Sequence, residues 1–208
     1  MNRFFEGIVD FLEKNGGAEK EYRDVYLYAV QTVAVYLFNI CSGLAIGALM
    51  GEIVYCIFFL AAFILLRQEA GGYHARGWKS CYVLSCGVLV LTLFWIKESF
   101  VYQTYITVAA AVAAAAVILF LAPLEDENRP LDEQEKKAIR RKAQFIVVAE
   151  MIAGTGLLFW DRRAAYAVFY AVVWCGAGCM AWVVKRHFKG KFDKSHELKG
   201  EGKDEKRV

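Results

Sequence analysis

Proline is scarce in this chain. Only Pro123 and Pro130 occur in 208 residues, both within the block 123–142, and Pro123 meets only the last two positions of an apolar run, so no helix breaker lies inside one. Histidine is nearly as rare, with His74, His187 and His196 alone. A third and fourth ligand at zinc-binding spacing are missing, so no metal and no other cofactor is expected. The apolar–polar alternation of a transmembrane barrel is absent, as is any internal repeat. No nucleic-acid motif appears, and a formal net charge of +3 is too small to suggest a nucleic-acid partner. The first fourteen residues hold no uninterrupted apolar stretch, so no cleavable signal peptide is expected.

What is abundant is apolar surface. Hydrophobic residues make up 58% of the chain and the mean hydropathy is +0.33, too high for a soluble enzyme. Charged residues still make up 23%, so they must fall in blocks between apolar runs. Six such runs occur, at 25–50, 53–66, 82–96, 105–124, 143–160 and 164–184. Backbone groups in hydrocarbon must be satisfied internally, so the expectation is an all-α, polytopic membrane protein with six transmembrane helices in a lipid bilayer. One membrane domain is expected over 1–184, followed by a charged tail, 185–208, that is disordered toward its end.

Basic residues fix the orientation. With six spans, 22 of the 25 lysines and arginines fall on one face, leaving Lys97, Arg162 and Arg163 on the other. That asymmetry places both termini, the segment 67–81 and the block 123–142 in the cytoplasm. After Pro130 the sequence LDEQEKKAIRRKA carries acids first and bases last, which complements a helix dipole and predicts a cytoplasmic helix running into the fifth span. Residues 2–14 put Phe4, Phe5, Ile8, Val9 and Leu12 on one helical face, and Arg3, Glu6, Asp10, Glu13 and Lys14 largely on the other. This is an amphipathic helix that either lies in the membrane interface or packs on the protein's own loops.

The second and third runs are short. Fourteen or fifteen residues cover only about 21–23 Å, against a hydrocarbon core of roughly 30 Å. Either their helices continue into the polar segment between them, or that segment sinks below the headgroups, or the bilayer thins there. Each option puts the segment RQEAGGYHARGWKSC, residues 67–81, at the membrane boundary.

That island holds a histidine and a cysteine, the materials of a thiol nucleophile with an imidazole base. On a continuous helix His74 and Cys81 would stand about 10.5 Å apart along the axis. The chain must therefore turn between them, unless the pair forms across subunits. Gly71, Gly72 and Gly77 supply the freedom for a turn. Cys81 would lie at the start of the third span, where free N–H groups and the helix dipole favour a thiolate. The competing reading treats cysteine here as a small packing residue, as it does for Cys41, Cys56, Cys175 and Cys179 inside apolar runs and for Cys86 beyond the island.

The pattern Arg67–x4–Gly72–x–His74–x6–Cys81 resembles the accessory gene regulator B (AgrB) peptidases of Gram-positive bacteria, and APLEDENRPLDEQEKK, residues 122–137, resembles that family's loop after the fourth span. The likeness implies a membrane-embedded cysteine endopeptidase for an AgrD-like quorum-sensing precursor. It implies Cys81 as nucleophile, His74 as base, and Arg67 and Gly72 as motif positions serving substrate binding or site support. It further implies an acyl-enzyme thioester that an internal side chain resolves into a cyclic thiolactone, and it suggests a homodimer. Taken by itself, Arg67 is equally a membrane-end anchor, and Gly72 a turn residue.

Glu150, in the middle of the fifth run, is costly in hydrocarbon and is expected to be functional or paired, either with the island or with Gln31 or Asn39 of the first run. Glu69 is the rival orienter of His74. Outside the family reading, the glycine pairs Gly154–Gly156 and Gly176–Gly178, together with Glu150, fit a small non-enzymatic transporter or channel. A third reading keeps the peptidase but ends in simple hydrolysis.

Overall fold

A computed structural model describes residues 2–15, 20–71, 78–98, 102–124 and 132–204. Those residues form seven α-helices: α1 (Asn2–Lys14), α2 (Arg23–Leu49), α3 (Ile53–Ala70), α4 (Trp78–Lys97), α5 (Gln103–Leu121), α6 (Glu133–Leu157) and α7 (Arg162–Asp204). Among the described residues there is no strand. Five helices (α2, α3, α4, α5 and the first part of α7) are long and apolar enough to cross a membrane. The all-α, polytopic architecture expected from the apolar runs is what is found.

Consecutive helices alternate in direction. At one end of the bundle, Gly51 has a φ of +73° in the turn between α2 and α3, and Glu52 behind it pairs with Arg163 in the first turn of α7 at 2.5 Å. Gln103, opening α5, donates to the Trp95 carbonyl of α4 at 2.7 Å at that same end. At the other end the Leu124 N–H donates to the Ala70 carbonyl, joining the exit of α5 to the exit of α3. α6 holds the fifth apolar run, but among the described residues it is not one of the five helices long and apolar enough to cross a membrane, against the six expected. Its apolar half, 143–157, spans about 22 Å, yet it still connects the two ends: Gln144 reaches the Leu119 carbonyl near the end of α5, while Asp161 beyond its C-terminus accepts from the Arg163 N–H at 2.9 Å.

α7 is the axis. Residues 164–172 are buried without interruption, with α3, α4, α5 and α6 packed around them. Small residues let the helices approach: Gly154 of α6 takes the Phe169 ring, and Gly176 of α7 takes Ala114 of α5. Polar side chains are paired in the same layers, with Thr104 on Tyr166 at 2.6 Å, Thr107 on Tyr170 at 3.1 Å and Trp174 on Thr92 at 2.9 Å.

Three expectations are sharpened. The short second and third runs are parts of longer helices of 18 and 20 residues, which extend into the polar island from both sides and reach about 27 and 30 Å. The block after Pro130 is one helix continuous with the fifth run, capped by Asp132, whose side chain accepts from the Glu133 N–H at 2.8 Å. The tail differs from expectation, because α7 carries the backbone onward to Asp204 as helix. Its charge had argued for disorder, but no proline or glycine cap stops the preceding span at residue 184.

α1 folds back on α2. Arg23 holds Asp10 and Glu13, both at 2.6 Å, and Val9 is fully buried while Phe11 is exposed. The helix thus packs on the protein itself and still presents one aromatic outward.

Candidate active site

Cys81 is the fourth residue of α4 and is half-buried. Its carbonyl accepts from Ser85 Oγ at 2.9 Å, and the neighbouring Tyr82 ring meets Phe38 of α2 at 5.2 Å. Around it Ser80, Val83, Leu84 and Ser85 are exposed. The buried face of α4 begins only further along, at Leu89, Thr92, Leu93 and Ile96. From Ser80 to Ser85, α4 is exposed or only partly covered, with the Cys81 Cβ tilted toward the helix N-terminus.

The other cysteines occupy different surroundings. Cys56, Cys175 and Cys179 are buried in the core. Cys56 Sγ donates to the Gly43 carbonyl at 3.3 Å, and Cys175 Sγ faces the Phe63 carbonyl at 3.9 Å. These are packing positions. Cys41 is exposed in the middle of α2, and Cys86 sits more than a turn deeper in α4 than Cys81.

Arg67 lies in the last turn of α3, where its guanidinium donates to the Gly71 carbonyl. A basic side chain satisfying the last carbonyls of its own helix is a C-terminal cap. Its Nη1 also sits 3.2 Å from where a Cβ on Gly178 of α7 would be, so Gly178 makes room for the guanidinium. Arg67 thus braces the start of the island and faces the bundle axis. Glu69 is half-buried in the same turn. His74 and Gly72 lie outside the described residues, so of the four expected site residues the structure places Cys81 and Arg67.

The structure singles out one of the three glycines expected to free the turn and adds a contact that the sequence does not signal. Gly71 has a φ of +70°, and a Cβ there would come within 2.6 Å of the Leu124 carbonyl oxygen. Gly71 is the glycine that this turn requires, a need that sequence cannot separate from that of Gly72 beside it. Leu124, on the opposite loop, locks it in place, and nothing in its own sequence context marks it.

Glu150 is buried at 8% exposure, and neither carboxylate oxygen has a hydrogen-bond partner among the described residues. Asn39, one expected partner, donates to the Val35 carbonyl of its own helix instead. A cavity of about 370 Å³ lies between α5 and α6, lined by Ala115, Leu119, Val147, Met151 and Ile152. It is apolar and opens beside the exposed Val148 and Ile152, which makes it a lipid-facing groove rather than an aqueous path. Among the described residues no cluster of three His, Cys, Asp or Glu could hold a metal ion.

Two curated relatives come from Clostridium perfringens: "Putative AgrB-like protein" of strain SM101 (type A), 24% identical over 136 residues, and "Putative AgrB-like protein 2" of strain 13 (type A), 22% identical over 136 residues. In each case the match covers 62% of this chain and 64% of the relative, so it spans a little under two thirds of their length. No solved structure matches the chain. The accessory gene regulator B family model matches residues 5–184, from α1 through the membrane part of α7, and the chain belongs to that family.

Proposed function

We propose that this protein is a membrane-embedded cysteine endopeptidase that processes an AgrD-like quorum-sensing precursor into a cyclic peptide. The observation that carries the reading is the position of Cys81, a half-buried thiol in the opening turn of a membrane-length helix, inside a chain whose family match runs from residue 5 to 184.

The Cys81 thiolate attacks a carbonyl carbon near the precursor's C-terminal end. The C–N bond breaks, His74 delivers a proton to the departing amine, and the N-terminal part of the peptide stays on Cys81 as a thioester. An internal thiol of the peptide, deprotonated by His74, then attacks the same carbon. The C–S bond to Cys81 breaks, a thiolactone forms, and Cys81 recovers its proton. The second step wins over hydrolysis only if water is scarce at Cys81, which a site at the head of a membrane helix supports. Enzyme and peptide held at one bilayer surface also meet at raised effective concentration. Arg67 and Gly71 serve by fixing the exit of α3 toward the island, and Gly72 serves as a motif position for substrate binding or site support. The island faces the cytoplasm in this reading, supported by the 22 basic residues gathered at its end of the chain's alternating path.

The test is cleavage in liposomes containing purified protein and a candidate precursor. Wild type should yield a linear tail and a cyclic product, Cys81→Ser a much slower reaction, and Cys81→Ala and His74→Ala none. Persistent cleavage by Cys81→Ala sinks the mechanism. A linear product alone leaves a hydrolytic peptidase.

A further inference from the structure

α4 and α7 touch through two pairs of side chains. The Trp95 ring lies edge-on to Tyr170 at 6.3 Å, and Trp174 Nε1 donates to Thr92 Oγ1 at 2.9 Å. Numbers fall along α4 as they rise along α7, so the two helices run antiparallel. Toward the island, Val88 and Trp174 are the last residues that pack against the core cluster the two helices share. Helix geometry carries both contact lines further. Each residue turns about 100° from the one before, which puts Cys81 and Val88 in the arc between Thr92 and Trp95. On α7 the same turn puts Ala177 and Ala181 within about 20° of the arc from Tyr170 to Trp174. Levels match as well. Ser85 lies seven residues from Thr92, and Ala181 seven residues from Trp174, each about 10.5 Å along its axis.

Facing rows of packed helices cover one another, yet Ser85, Ala177 and Ala181 are all exposed. The helices therefore part beyond Trp174, and the half-buried Cys81 stands on the α4 wall of the cleft between them. A nucleophile on such a wall decides what must enter. Attack needs the thiol about 3–3.5 Å from a carbonyl carbon, so the segment holding that carbon passes along this wall. Its side chains must then fit between α4 and α7. Ser85 Oγ already donates to the Cys81 carbonyl at 2.9 Å, so the α4 wall presents no unmet donor there. What is left is apolar and roomy, with two alanines opposite the thiol and Trp174 closing the far end.

We propose that the α4–α7 cleft is the subsite for an apolar side chain of the precursor beside the scissile bond, and that Ala177 and Ala181 set the size it accepts. The occupant rests on the peptidase reading, whereas the position of the cleft rests on contacts and exposures alone. Alanine at both positions admits an aromatic or branched side chain, and a larger residue at either bars it. Pocket size of this kind discriminates substrates by about 10–200-fold per methylene.

The experiment alkylates Cys81 with N-methylmaleimide or N-benzylmaleimide in the full-length protein in liposomes, with Cys41→Ala and Cys86→Ala removing the other accessible thiols. Ala177→Phe and Ala181→Phe fill the cleft from α7, and Ser85→Leu fills it from α4. All three positions are exposed, so the added bulk displaces no core residue. Val83→Phe is the control, exposed and two residues from Cys81 but about 160° around the helix. The benzyl-to-methyl rate ratio should fall about five-fold or more in the three cleft variants and hold in Val83→Phe. An unchanged ratio in the cleft variants, or an equal fall in the control, overturns the proposal. So does a benzyl reagent that reacts in detergent but not in liposomes, which would assign the gap to lipid. Cleavage of a candidate precursor is measured in parallel, with each residue flanking the cleaved bond cut to alanine in turn. At one of these positions the kcat/KM preference for the larger side chain should fall about ten-fold or more in Ala181→Phe, which general loss of structure does not produce. Wild-type cleavage with an unaltered preference in Ala181→Phe overturns the subsite alone. A wild type that labels as expected and cleaves nothing overturns the peptidase reading and the peptide occupant with it, while the cleft stands.

Discussion

The Leu124 N–H donates to the Ala70 carbonyl at 3.2 Å, and the Leu124 carbonyl oxygen lies 2.6 Å from where a Cβ on Gly71 would be. Two loops far apart in sequence therefore meet at the root of the island. A side chain at residue 71 must displace the backbone of residue 124 and also occupy a φ of +70° with extended ψ, a region that is nearly closed to other residues. Gly71→Ala is expected to cost about 1–3 kcal/mol from the backbone strain alone, and to reduce precursor cleavage several-fold. Gly51→Ala is the control, since Gly51 has a similar φ of +73° but nothing within 4 Å. Thermal unfolding in detergent should rank Gly71→Ala as the more damaging, and equal losses would remove Leu124 from the account.

That contact also marks the limit of what the sequence reveals. Apolar runs located the five helices able to cross a membrane, because hydrocarbon forces helices wherever long apolar segments occur. They did not give the helix ends at the island, where Arg67, Gln68 and Glu69 continue α3 despite their polarity. A last helical turn at a membrane boundary can hold polar side chains while its backbone bonds stay internal, so hydropathy stops short of the helix. Cys81 was legible from its polar flanks and nearby glycines. The inward face of Arg67 was not, because it depends on Gly178, more than a hundred residues away.

The glycine pairs divide in a way that spacing does not foretell. A Cβ on Gly154 would lie 2.6 Å from the Phe169 ring, whereas one on Gly156 meets nothing within 4 Å. Gly154→Ala should destabilise by roughly 1–3 kcal/mol through overpacking, and Gly156→Ala should be neutral or gain up to about 1 kcal/mol of helix propensity. Gly176→Ala should be worse than Gly154→Ala, because the obstacle is the Ala114 backbone at 3.0–3.1 Å rather than a ring that can tilt. Unfolding midpoints of the three variants check the order.

At the far end of the bundle, Arg163 pairs with Glu52 at 2.5 Å and lies 4.4 Å from the Tyr55 ring centroid. The two partners are unequally covered, with side-chain exposures of 37% for Arg163 and 8% for Glu52. Removing Arg163 leaves a buried carboxylate alone, whereas removing the charge of Glu52 leaves an arginine that still touches water. Arg163→Met should therefore destabilise more than Glu52→Gln, by about 1–3 kcal/mol after allowing for the solvent at the arginine. The reverse order would mean that the carboxylate finds another donor.

The pairing of Ala70 with Leu124 puts the island and the α5–α6 loop at one end, and the Gln103–Trp95 bond puts the α4–α5 connection at the other. Lys97 and Lys137, both exposed, must then lie on opposite sides of any membrane the bundle crosses. In a background with Cys41, Cys81 and Cys86 replaced by alanine, Lys97→Cys should react with a membrane-impermeant maleimide in intact cells. Lys137→Cys should react only after permeabilisation, since the basic block around it favours the cytoplasm. The opposite pattern would keep the fold and invert its orientation. Labelling of both from outside would break the crossing of α5 itself, and with it the meeting of Leu124 and Ala70 at one membrane face.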